Sequence, residues 1–321
     1  MGIAASDWEA AASALESAST IGVVGHVRPD GDALGAMVGL AHSARAAGKD
    51  AVASFGEPFV LGNEFDYLDL SVVVSPGEFV GDLDLAVVCD TGVLERVGSV
   101  GSQVALASTL LVIDHHKSGG DIGDILLVDP TAAATTQLVY LLLDRLGWPI
   151  TKAVADALYT GIVTDTGRFM YSSTTAEVHD IAGALIDHGV EPAVVGQQLY
   201  ERVPFGYYAV VAAVLGRAIL DEDAGLVWSL VTKDDIAAAG VGWEATDALI
   251  DLVRLAEESD VALLLKEVEP GTIKGSLRSR GAVDVAAVAG AFGGGGHHNA
   301  AGFTASATAG DIVAKITGIL T

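Results

Sequence analysis

The chain has a single cysteine, Cys89, so no internal disulfide framework can form. It is also poor in positive charge. Seventeen Lys and Arg stand against 42 Asp and Glu, for a formal net charge of −25. A protein that grips long nucleic acid usually presents a basic face, because its affinity comes largely from neutralising phosphates. That class is disfavoured here, whereas a small anionic substrate is not, since bound metal and a few local Arg and Lys can supply the needed field. No run is long and apolar enough to span a membrane. The first residues are acidic (Asp7, Glu9) and lack the charged start and apolar run of a signal peptide, so a cytoplasmic setting is expected. Aromatic residues make up only 6% of the chain, while hydrophobic residues make up 51%. Ala, Val and Gly therefore dominate the core, which suits tight α/β packing.

With 321 residues, two domains are expected. The first half alternates short apolar runs with helical patterns. Ile21–Val24, Ala51–Phe55, Leu85–Cys89 and Leu110–Ile113 read as strands. Ala33–Ala47, Thr131–Leu146 and Lys152–Val163 read as helices. Thr174-Thr175-Ala176-Glu177 reads as a capping box opening a further helix to about His188. The alternation predicts a doubly wound, mainly parallel sheet. Residues 189–208 carry Pro192, Pro204 and clustered polar side chains, and read as a partly helical linker. Beyond them lie a strand at Leu226–Thr232, a helix at Glu244–Glu257 and an antiparallel pair, Val261–Glu267 with Thr272–Arg278. A short helix at Val283–Ala289, a glycine run and a last helix at Ala309–Leu320 complete a smaller α/β domain.

Three of the first-half strands end in metal-binding side chains. Ile21–Val24 leads to His26-Val27-Arg28-Pro29-Asp30-Gly31-Asp32. Leu85–Cys89 leads to Asp90, and Leu110–Ile113 leads to Asp114-His115-His116. Asp165 follows another helix, in Thr164-Asp165-Thr166-Gly167-Arg168. Singly, an Asp at such a place is as well explained by a turn or a helix cap, and Asp32 by an N-cap. Adjacent imidazoles beside a carboxylate are harder to explain that way. Ligand crevices of open α/β sheets lie at the carboxyl ends of strands. Asp and neutral His suit Mn(II) and similar ions, and two such ions close together hydrolyse phosphate esters. Far along the chain, Gly293-Gly294-Gly295-Gly296-His297-His298-Asn299 offers close backbone approach, a nest of N–H groups and polar donors. Ser276-Leu277-Arg278-Ser279-Arg280 ends a strand, and Arg278 suits bidentate phosphate recognition. Arg280 reads as a solvated surface charge.

Taken in order, these residues resemble the DHH phosphoesterases, and the match runs over nearly the whole chain. Its size is similar to that of the small NrnA-type branch, the nano-RNase and pAp-phosphatase group. The resemblance implies a catalytic domain over residues 1–188, a linker over 189–208 and a DHH-associated substrate domain over 209–321. It implies that His26, Asp30 and Asp90 hold one Mn(II) ion. Asp32, Asp90, His115 and Asp165 would hold a second, with Asp90 bridging. Co(II) or Mg(II) are possible substitutes. Asp114 would orient His115 or its neighbours, and His116 would contact the scissile phosphate or assist the leaving group. Arg278, Ser279, Gly295, Gly296, His297, His298 and Asn299 would hold the substrate's terminal phosphate and nucleotide, in a site between the domains. A homodimer is implied as well.

The activity expected from the resemblance is cleavage of short oligoribonucleotides to mononucleotides and conversion of 3′-phosphoadenosine 5′-phosphate (pAp) to AMP. Linear pApA and cyclic di-AMP are further candidate substrates. A manganese-dependent pyrophosphatase of the same superfamily is the nearest alternative, though its C-terminal motif should be more basic. A RecJ-like exonuclease would want extra nucleic-acid-binding modules. A non-catalytic nucleotide-binding regulator would not need every ligand retained.

Overall fold

The computed structural model describes residues 3–79, 82–116 and 122–321. The chain divides into two compact units, Met1–Arg202 and Val203–Thr321. The first contains α1 (Ala5–Ser17), β1 (Thr20–Val24), α2 (Gly31–Ala46), β2 (Asp50–Ser54) and β3 (Leu85–Cys89). It continues with α3 (Leu94–Val97), α4 (Gly101–Val104), β4 (Thr109–Asp114), β5 (Ile125–Val128), α5 (Thr135–Leu146), α6 (Lys152–Asp165), α7 (Ala176–Asp187) and α8 (Pro192–Tyr200).

The five strands form one sheet in the order β2-β1-β3-β4-β5, and every neighbouring pair is parallel. The expected doubly wound sheet is therefore present. Strands covered on both faces need apolar residues at every position, which is why β3 reads Leu-Ala-Val-Val-Cys without alternation. Ile21, Val23, Leu85, Val87, Cys89, Leu111 and Ile113 point into the larger core, against α1, α2, α5 and α6. Val24, Ala86, Val88 and Val112 point the other way, onto Phe79, Leu83, Val97, Val100 and Val104. The order reverses direction between β1 and β3, the place where an open parallel sheet leaves a crevice at its carboxyl edge.

Helices α2 and α6 cross at very close range because their contact is built from glycine. A Cβ on Gly35 would lie 2.3 Å from the backbone oxygen of Ala157. Gly35→Ala is therefore expected to destabilise the unit by about 1–3 kcal/mol through overpacking, more than the ~1 kcal/mol of helix propensity it gains. Urea unfolding monitored by circular dichroism measures this.

The second unit runs α9 (Tyr207–Gly216), β6 (Ile219–Asp221), β7 (Leu226–Val231), α10 (Lys233–Ala239), α11 (Leu249–Val253), β8 (Val261–Glu269) and β9 (Thr272–Ser279). After these come α12 (Val285–Gly290), β10 (Gly295–His297), β11 (Ala300–Ala305) and α13 (Ala309–Leu320). Its six strands form a mixed sheet, β10-β11-β9-β8-β7-β6, with one parallel pair, β7 and β8. Core side chains from β9, β11, α12 and α13 lie on one face and those from α9 and α11 on the other, while β7 and β8 alternate and contribute to both.

Several local expectations are corrected. Helix α5 starts at Thr135, four residues later than predicted, for a reason given by the site below. The capping box is not formed. Thr175 is the N-cap and accepts from Val178 N, so Glu177 sits too early in α7 to reach back. The helix expected over Glu244–Glu257 is a 3-10 turn at Trp243–Thr246 followed by the short α11; between them Asp247 pairs with the buried ammonium of Lys266. The glycine run is half of a hairpin, with Gly295–His297 paired antiparallel to Ala300–Gly302.

Candidate metal centre

Three adjacent parallel strands deliver their first residues beyond the sheet to one place. After β1 the chain turns through Arg28, whose φ of 52° is left-handed, and Asp30 then caps α2 by accepting from Asp32 N and Ala33 N at 3.1 and 3.0 Å. The N-cap is thus Asp30, and Asp32 is the second residue of the helix, fully buried. After β3, Asp90 adopts a φ of 61° while its N–H still bonds Ile113 O at 2.9 Å. That strained conformation, held by the ladder, aims its carboxylate along the sheet edge. Strand β4 ends on Asp114, followed by His115 and His116. Asp165 is the last residue of α6.

His26 Nε2 lies 3.4 Å from Asp90 Oδ2 and 3.9 Å from Asp30 Oδ2. His115 Nε2 lies 3.1 Å from Asp165 Oδ2, 3.6 Å from Asp90 Oδ1 and 3.8 Å from Asp32 Oδ2. Asp90 thus turns one oxygen to each imidazole. Two sets of potential ligand atoms, His26/Asp30/Asp90 and Asp32/Asp90/His115, each fall within 4.8 Å of one another and share Asp90. Asp114 touches His116: its Oδ1 accepts from His116 N at 3.0 Å and lies 2.7 Å from His116 Nδ1. All eight N-terminal candidates meet here.

The charges are poorly balanced by the protein itself. Burial, together with Asp32, Asp30 and Asp165, pushes the Asp90 carboxyl well above the usual carboxylate range. Burial and then Asp32 push Asp165 up to about 7. Burial opposes protonation of His115, but Asp165, Asp32 and Asp90 outweigh it and raise that imidazole to about 10. Asp114 is held below its usual value: burial pushes it up, and the bonds from His116 more than offset this. A set of hard oxygen and imidazole donors that must retain protons to coexist fits divalent cations, which would replace those protons. The residues can hold metal.

Sequence reasoning missed the residues that fix Asp32. Its Oδ2 accepts from Thr135 N at 2.6 Å, and its Oδ1 accepts from Thr136 N at 2.9 Å and Thr136 Oγ1 at 2.6 Å. Thr135 Oγ1 donates to Asp90 Oδ1 at 2.9 Å. Position Ala134 offers no side-chain cap, so Asp32 satisfies the exposed N–H groups at the start of α5 from across the fold. This is why α5 starts where it does. An alanine at the cap position was the available hint that the cap comes from elsewhere. Gly161 makes room for the arrangement, since a Cβ there would lie 2.7 Å from Asp32 Oδ1.

The C-terminal candidates form their own group in the second unit. Arg278 is the next-to-last residue of β9, opposite Ala300 and Ala262, with its Nη1 donating to Leu277 O at 3.0 Å. Ser279 Oγ donates to Asn299 Oδ1 at 3.1 Å, and His298 Nε2 lies 3.0 Å from Gly281 O, so these three brace the hairpin turn. Gly295, Gly296 and His297 form β10; at Gly296, with φ of 146°, a Cβ would lie 2.5 Å from Ala300 O. Arg280 is more than a solvated charge: its guanidinium donates to the carbonyls of Arg254, Ala256 and Glu257.

A parallel α/β unit with a carboxylate–imidazole cluster at its carboxyl edge, followed by a mixed-sheet unit, defines a two-unit α/β class whose first unit could hold metal. Residues 20–162 match the N-terminal domain of the DHH family, and residues 225–320 match the DHHA1 domain. The chain belongs to the DHH family. It is 36% identical over 282 residues to the bifunctional oligoribonuclease and PAP phosphatase NrnA of Thermus thermophilus, spanning 87% of this chain and 82% of that protein. The Bacillus subtilis protein of the same name is 28% identical, with 86% of each chain covered. A crystal structure of an exopolyphosphatase-related protein from Bacteroides fragilis superposes with a TM-score of 0.91 at 25% identity, covering 99% of this chain and 96% of that one.

Proposed function

We propose that the chain is a manganese-dependent phosphohydrolase of short nucleotides. It would release mononucleotides from oligoribonucleotides of a few residues and from pApA, and convert pAp to AMP and phosphate. The carrying observation is the sharing of Asp90 between two donor sets whose carboxylates cannot all ionise unaided. The names of the relatives support the substrate class.

On this reading His26, Asp30 and Asp90 would hold one Mn(II), and Asp32, Asp90, His115 and Asp165 would hold the other. Two bound ions supply a nucleophilic water at neutral pH and neutralise charge on the phosphate oxygens. The protein does the rest. Asp90 would serve both sets, since its Oδ2 faces His26 and its Oδ1 faces His115. The α5 N-terminus holds Asp32 through three hydrogen bonds, so its oxygens cannot rotate. Asp114 accepts from His116 Nδ1 and leaves Nε2 open. From the imidazolium form Nε2 would give its proton to the departing oxygen as the P–O bond breaks, while the attacking water bonds phosphorus and its own proton passes to solvent. Arg278, Ser279, Gly295, Gly296, His297, His298 and Asn299 would bind the substrate's terminal phosphate and nucleotide. A cytoplasmic homodimer completes the reading; among the described residues no helix is long and apolar enough to cross a membrane.

The test is a side-by-side kinetic panel with Mn(II): pAp, pApA, cyclic di-AMP, a pentaribonucleotide and pyrophosphate. Turnover of pAp, pApA and the pentamer, with pyrophosphate inert, is expected. Fast pyrophosphate turnover with inert nucleotides would sink the proposal.

A further inference from the structure

The peptide unit between Ala132 and Ala133 sits beside the metal centre and is held at both ends. Its carbonyl, Ala132 O, lies 3.3 Å from His115 Nδ1. Its N–H, on Ala133, donates to Gln137 Oε1 at 2.8 Å. Gln137 Nε2 in turn donates to Glu177 Oε2, also at 2.8 Å, at the start of α7. A trans peptide is planar and rigid, so fixing its N–H fixes the direction of its carbonyl. The carbonyl accepts the Nδ1 proton of His115, which turns Nε2, the other ring nitrogen, toward Asp32, Asp90 and Asp165.

Among the described residues the Gln137 amide bonds these two partners, one at each end. It is 6% exposed, in the first turn of α5, and a buried amide costs stability unless both ends are bonded. Its orientation is set without ambiguity, because one partner is a backbone donor and the other a carboxylate. Neither Gln137 nor Glu177 is a candidate metal ligand.

We propose that Gln137, anchored by Glu177, is a positioning residue for His115, acting through the Ala132–Ala133 peptide. This rests on His115 being a metal ligand, as in the functional reading above. Removing the amide lets the peptide rotate, and the imidazole loses the acceptor that selects its tautomer.

Three proteins test this: wild type, Gln137→Met, and the swap Gln137→Glu with Glu177→Gln. The swap keeps both hydrogen bonds and the net charge: the new carboxylate accepts from Ala133 N and from the new amide. Mn(II) affinities by calorimetry and metal-free melting temperatures are measured for each. Gln137→Met is expected to weaken one of the two Mn(II) affinities about 10-fold, the lower end of what such outer partners contribute. The swap is expected to return it to within about 3-fold of wild type. Unchanged affinity in Gln137→Met, or a swap as weak as Gln137→Met, overturns the proposal. So does a fall in metal-free melting temperature without any change in affinity, which would assign the network to folding alone. A wild type that binds Mn(II) yet cleaves nothing in the substrate panel removes the functional reading and leaves this one standing. A wild type without any Mn(II) site removes both.

Discussion

Asp90→Asn is expected to lower kcat on pApA by more than about 10³-fold, beyond the ~10²–10³ that losing one transition-state stabiliser costs. The substitution keeps the shape of the side chain and removes the charge that both donor sets share. Mn(II) stoichiometry should fall below two. Stability should move the opposite way. In the metal-free protein Asp90 is buried among other acids, so folding costs either an unfavourable charge or the uptake of a proton there, and Asn removes that cost. The metal-free variant should therefore melt above metal-free wild type. Steady-state kinetics, calorimetric titration and thermal scans in chelator check the three statements. Activity within tenfold of wild type would exclude Asp90 as the shared ligand.

The second large effect is on how metal stabilisation varies with pH. Asp90 and Asp165 have folded-state pKa values raised above their unfolded values, Asp165 to about 7. Between about pH 4 and 7 the metal-free folded state therefore binds more protons than the unfolded chain. The stability this represents is complete at the acid end and is lost as pH rises through about 7. His115, raised to about 10, acts in the same direction over a higher window: its contribution is full below its ordinary 6.5 and is lost on approach to 10. Cations take the place of these protons, and they bind the deprotonated ligands better as pH rises. The gain in melting temperature on adding Mn(II) is thus expected to grow steadily from pH 5.5 to 8. Each kcal/mol of difference corresponds to about 2–4 °C for a unit of this size. Paired scans in Mn(II) and in chelator measure the gain, and a gain independent of pH would contradict the charge arrangement described for the site.

The parts of the fold that could be read from sequence are those whose constraints are local. Strands β1, β3 and β4 are covered on both faces and spell themselves out as apolar runs, so the residues that follow them were recognisable as one sheet edge. Strand β5 spells Ile-Leu-Leu-Val, an apolar run comparable to that of β4, and was equally legible although it was not among the expected strands; only Leu127 of its four residues is fully buried. Helix α9 was hidden by Pro204 and the polar residues before it, although Val210 and Val214 are fully buried one turn apart. Thr135, Thr136 and Gln137 were illegible for a different reason. A threonine near a helix start reads as a cap for its own helix, whereas these two serve carboxylates far back in the chain. Only the folded backbone brings Asp32 to them.

Capping of α5 by Asp32 also bears on how this chain's descendants should be interpreted. Deleting Asp32 would harm more than chemistry, because buried donors at the start of a core helix would lose their acceptor. A lineage that gave up hydrolysis would therefore still be selected to keep an aspartate at this position. Asp30 has a comparable second duty as the N-cap of α2, whereas Asp165, the last residue of α6, caps no helix start. Decay of function in a homologue should therefore be judged by the loss of Asp165, while persistence of Asp30 and Asp32 is a record of folding and a poor witness to activity.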